Sequence, residues 1–134
     1  MASEDILSTK INTVLTKIYS KLSTSLQNVN GVYLEYVPDV FQYPIVIITH
    51  LQTLPSGYLP AKTSATLEEH HISIAVYSND SSATIALGIG AQIINLLDEQ
   101  NLDASMIQLT RYYTQLIRDD TEWIYTLRYK VVTY

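Results

Sequence analysis

Residues 67–99 read LEEHHISIAVYSNDSSATIALGIGAQIINLLDE, and the fold class turns on a change of period inside this stretch. In its first half Ile72, Ile74 and Val76 alternate with Ser73, Ala75 and Tyr77. That period of two predicts a strand over 67–78 with one buried face. In its second half Ile85, Ile89, Ile93 and Leu96 recur at helical spacing, with Ala86, Ile94 and Leu97 beside them. This predicts a helix over 82–99 whose core stripe includes Ile85. Asn79-Asp80-Ser81 supplies the turn between the two and the helix cap. Gly88 and Gly90 each cost up to about 1 kcal/mol against alanine, but they let the helix lie close to a sheet or another chain.

The same test, moved outward, places the remaining elements. Upstream, Leu7, Ile11, Val14, Leu15, Ile18, Leu22 and Leu26 form one apolar stripe, so 3–28 reads as an amphipathic helix. Ser3 can cap its start, Glu4 and Asp5 suit its positive end, and Asn28, Asn30 and Gly31 stop it. Val32–Val37 is a short strand ended by Pro38-Asp39. Pro44 opens the β-branched run Ile45-Val46-Ile47-Ile48-Thr49, which suits a central strand covered on both faces. Residues 53–66, with Pro55, Gly57 and Pro60, read as a long loop, and loops this long inside a domain are usually functional or mobile.

Downstream, Met106–Arg118 and Glu122–Thr133 read as the arms of a long hairpin with Asp119-Asp120 as its turn. On the second arm Trp123, Tyr125, Leu127, Tyr129 and Val131 share one face. The order is therefore α-β-β-β-α-β-β. Helices are too few for βαβ units, so a single α+β domain over 1–134 is expected, with a mainly antiparallel sheet of four to five strands.

Composition bounds the function. A chain of 134 residues can bury roughly two thirds of its surface, enough for a core without staples. It has no cysteine, which excludes disulfides and thiolate metal sites. A net charge of −5 argues against recognition of duplex nucleic acid. No apolar run reaches the roughly 18 residues of a membrane span, and the first residues lack the pattern of a signal peptide. Eleven of thirteen aromatics are tyrosine, and serine and threonine together number 26. That chemistry suits strands, and it also suits protein interfaces.

The chemical motifs are weak. His70 and His71 are adjacent on a strand and point to opposite faces, so they do not readily share a metal. A site would need His50 with Glu68 or Glu69. There is no G-x-S-x-G elbow. Gly88-Ile89-Gly90 lacks the third glycine of a dinucleotide loop and lies within a helix. Asp119, Asp120 and Glu122 read as a charged hairpin turn. No catalytic residue, metal or cofactor is expected. Arg111, Arg118, Arg128 and Lys130 cluster on the terminal hairpin of an otherwise acidic chain. Two readings stand. They pair with acids of their own sheet, or they form a basic edge that meets an acidic patch, Glu68-Glu69 or Asp98-Glu99, on a neighbouring subunit in a head-to-tail ring.

The arrangement resembles the tail terminator, or tail completion, proteins of long-tailed bacteriophages. The resemblance is carried by the N-terminal helix, by Pro44-Ile45-Val46-Ile47-Ile48, and by Val76-Tyr77-Ser78 running into the helix with Ala83, Ile85, Ala86 and Ile89. Tyr125-Thr126-Leu127-Arg128-Tyr129 in the last arm also carries it. It spans nearly the whole chain as an order of elements. It implies a structural, non-enzymatic role in the virion at the head–tail interface, after synthesis in the host cytoplasm. The implied partners are copies of itself in a hexameric ring, which family members often form from monomers only at the tail end, the tail tube protein and the head connector or stopper. Candidate contacts are Gly57, Tyr58 and Lys62 in the loop, Glu68 and Glu69 at the strand start, and Arg111, Arg118, Arg128 and Lys130 on the hairpin. The rival expectations are another neck component, such as a head-closure protein, and an unrelated α+β binding adaptor.

Overall fold

The computed structural model describes residues 2–55 and 67–133. It contains α1 (Ala2–Ser25), β1 (Gly31–Leu34), β2 (Ile45–Pro55), β3 (Glu68–Ser78), α2 (Thr84–Leu97), β4 (Thr110–Asp119) and β5 (Glu122–Thr133). The order of elements is the expected one. The strands form one sheet in the order β1-β2-β3-β5-β4. Three of its four pairings are antiparallel, and β1 pairs with β2 in parallel, so the sheet is mixed.

Alternation along the strands sends one set of side chains inward. Val46, Ile48, Ile72, Ile74, Val76, Leu127, Tyr129 and Val131 lie on that face and are buried. Both helices cover it, α1 over β1 and β2, α2 over β3 and β5. Val14, Leu15, Ile18 and Leu22 of α1 and Ala86, Ile89, Ile93 and Leu97 of α2 complete the core. Burying each of the large aliphatic groups contributes about 1.5–3 kcal/mol. Gln92 clasps the two helices together, accepting from the Gln27 N–H at 2.9 Å and donating to its carbonyl at 3.2 Å.

Several expectations are corrected. Ile85 is 40% exposed, because the buried stripe of α2 runs through Ala86, Ile89, Gly90, Ile93 and Leu97. Gly90 lies in that stripe because a Cβ there would come 2.1 Å from the Tyr125 ring. Ala83 occupies the N-cap of α2 with no side-chain cap bond, and Asn79-Asp80-Ser81 does not cap it. Among the described elements helices cover β2 on one face only; on the other, Ile45 is buried and Ile47 half-buried, so the second face is only partly covered. β2 also runs on to Pro55, so strand replaces loop at 53–55, and the rest of the expected loop lies outside the described residues. The expected stripe position Leu7 and the cap at Ser3 lie outside the described side chains.

The hairpin's first arm begins at Thr110 rather than Met106, which makes only a single bridge to Thr133. Its turn is Asp120-Thr121, since Asp119 still pairs with Glu122. Asp120 takes a positive φ of 57°, a conformation aspartate tolerates. The hairpin does not project beyond the sheet over most of its length, because β5 pairs with β3 from Thr133↔Glu68 to Trp123↔Ser78.

Candidate interaction surfaces

The second face of the sheet carries Ile47, Ser73, Ala75, Tyr77, Ile124, Thr126 and Arg128, all half-buried, and no helix among the described elements covers it. The sheet ends at β1 on one side and at β4 on the other.

The candidate contact residues do not form one surface. Gly57, Tyr58 and Lys62 lie outside the described residues. Glu68 and Glu69 are neighbours on a strand, so they face opposite ways. Glu68 is only 5% exposed and lies 3.8 Å from the Lys10 ammonium. Glu69 is on the other face, 2.7 Å from His71 Nε2. The expected acidic patch is therefore split, and its first member is not on the surface.

The basic residues split in the same way. Arg111 and Arg118 lie on the helix side of β4; Arg128 and Lys130 lie on the far side of β5. Arg111 pairs within the chain: its Nε and a terminal nitrogen lie 3.1–3.2 Å from the Asp98 carboxylate. The bond to Asp98 holds the guanidinium pKa above its usual value. Asp98 also accepts a hydrogen bond from Tyr129 at 2.5 Å. Burial first, and the Asp98 bond second, push the Tyr129 hydroxyl well above the usual phenol range. Arg118 sits 4.8 Å over the Trp123 ring and donates to the carbonyls of Asp80 and Asp120. Arg128 stacks 4.5 Å over Tyr113. Lys130 is exposed.

Sequence reasoning missed the Asp98 clamp, which joins the end of α2 to β4 and β5. One signal was present. An acid at the C-terminal end of a helix opposes the macrodipole and calls for a cationic partner.

The histidines are held by hydroxyls and a carboxylate. His70 is fully buried, with Nδ1 2.9 Å from Thr53 Oγ1 and Nε2 2.9 Å from Thr133 Oγ1. Thr53 Oγ1 is also 2.7 Å from His50 Nε2. Burial, followed by the nearby charges of His50, Lys10 and His71, lowers the His70 pKa to about 4. His71 lies between Glu69 and the Tyr112 hydroxyl, 3.0 Å from Nδ1. Both nitrogens of each ring are taken up by in-chain partners. Among the described residues no group of three or more histidines and carboxylates could hold a metal, and no helix is long and apolar enough to cross a membrane.

No protein-family model matches the chain, and no curated protein matches it in sequence. Solved structures do share its shape. One is a chain from a structure described as the virion of a native gene transfer agent particle. The two superpose with a TM-score of 0.57, covering 87% of this chain and 83% of that one, at 12% sequence identity. At that identity the likeness establishes the fold: two helices on one face of a five-stranded mixed sheet, in an arrangement also found in a chain of that particle.

Proposed function

We propose that the chain is a structural virion protein of a phage-like particle. In this reading it caps the end of the tail tube as a ring, stops tube polymerisation and forms the docking surface for the head connector. The observation that carries the reading is the near full-length fold likeness to a chain of a gene transfer agent virion. The order of elements, which resembles the tail terminator family, adds the specific role. A sheet face that no described helix covers, and polar side chains committed to in-chain partners, are compatible with a protein that works by contact. The test is tube polymerisation from purified tail tube protein in the presence of this chain. Shortened tubes with extra density at one end support the reading. Unchanged length distributions and bare ends overturn it.

A further inference from the structure

The helix layer stops short of one side of the sheet. α1 lies over β1 and β2 and α2 over β3 and β5, so among the described residues neither helix packs extensively over the helix side of β4. One stripe of α2 borders this shelf: Leu87, Ala91, Ile94 and Asp98 are successive turns of one face, and Asp98 reaches Arg111 of β4. Leu87 is 42% exposed and Ala91 is exposed, while Ile94 is half-buried. The floor is Thr114, exposed, and Leu116, half-buried.

β4 is also an unusual edge. Natural edge strands are blunted by charge, proline, shortness or a bulge, and β4 carries a bulge only at its start. Residues 112–117 read YYTQLI, with no charge and no proline, and the single irregularity lies at Arg111/Tyr113. The flanking Arg111 and Arg118 are already held in-chain, so the shelf offers no free ionic grip. Its occupant must bring an uncharged extended segment.

The geometry points to a second copy of this chain, docked through its β1, as that occupant. This inference rests on the ring reading above and names the contact that would close it. β1 (GVYL) is uncharged and is the opposite terminal strand of the same sheet. β1 runs parallel to β2, and β4 runs antiparallel to β5, which is antiparallel to β3 and so parallel to β2. A neighbour in the same orientation therefore presents β1 antiparallel to β4, the better-bonded arrangement. Its helices then fall on the same side, and its α1 continues the layer beyond the shelf. The contact joins unlike edges, so it repeats head to tail and can close a ring.

The absence of native cysteine makes the test direct. Tyr33→Cys is combined in turn with Tyr113→Cys, Gln115→Cys and Ile117→Cys, all on the sheet face away from the helices, and concentrated protein is oxidised, alone and on tail tubes. Paired antiparallel strands place Cα atoms about 4.5–5.5 Å apart, within disulfide reach. At least one double variant gives a covalent ladder beyond dimer, while each single variant gives none. A ladder stopping at dimer with Gln115→Cys alone shows two-fold β4–β4 pairing and overturns the inference. So does a chain that remains monomeric on tail tubes, or one that assembles by sedimentation without any cross-link. Gln115→Lys, at an exposed position, abolishes assembly, whereas Thr16→Lys on the outer face of α1 does not. Tube capping without cross-links sinks this contact alone; cross-linked rings that ignore tubes sink the proposed function alone.

Discussion

Acidification should weaken this fold through one side chain. His70 is fully buried between Thr53 and Thr133, and its pKa is lowered from 6.5 to about 4. A histidine with a depressed folded pKa binds its proton more readily when unfolded. Its contribution to stability is therefore intact above pH 6.5 and is lost as pH falls toward 4. The full loss is about 3 kcal/mol, and about 2 kcal/mol of it falls between pH 7 and pH 5. That is a large fraction of the stability of a domain this size. The assay is urea unfolding at pH 7, 6 and 5 for the wild type and for His70→Gln. The wild type should lose about 2 kcal/mol over that interval, and the variant should lose that much less. Should the variant fail to fold, the His70 ring protons of the wild type can be titrated by NMR. A flat wild-type profile, or a His70 resonance titrating near 6.5, would show that burial does not hold His70 neutral.

Substitutions at three other positions probe the packing. Gly90→Ala drives a methyl group into the Tyr125 ring, 2.1 Å from the nearest carbon, and should cost about 1–3 kcal/mol by thermal or urea unfolding. Gly88→Ala has open space at its Cβ and should stabilise the isolated chain by about 0.5–1 kcal/mol in the same assay. Asp98→Ala strands the Tyr129 hydroxyl and the Arg111 guanidinium together, and should cost about 2–4 kcal/mol, with Asp98→Asn losing less.

These residues also show what could be read in advance. The strand at 68–78 was legible because its two faces differ: Ile72, Ile74 and Val76 are wholly buried and their neighbours are not. α1 was legible for the same reason. The phase of α2 was not. Its apolar residues lie nearly all round, so periodicity cannot choose a face, and the stripe passes through Gly90, which carries no hydropathy signal. What sets the phase is the Tyr125 ring on another strand. The parallel pairing of β1 and β2 was hidden because residues 35–44 return the chain without a helix. The candidate surface was the least legible part. Charge clusters such as Glu68-Glu69 and the hairpin arginines look continuous in sequence, yet strand alternation divides them between two faces. The shelf at β4 shows only once the positions of both helices are known.

The proposed role at the end of a viral tail can be tested by electron microscopy of lysates from the encoding genome with this reading frame deleted. Loss of a tail terminator leaves filled heads beside unattached tails, with tails of abnormal length. Normally joined particles, or the absence of any phage-like particle from the source, would contradict that role.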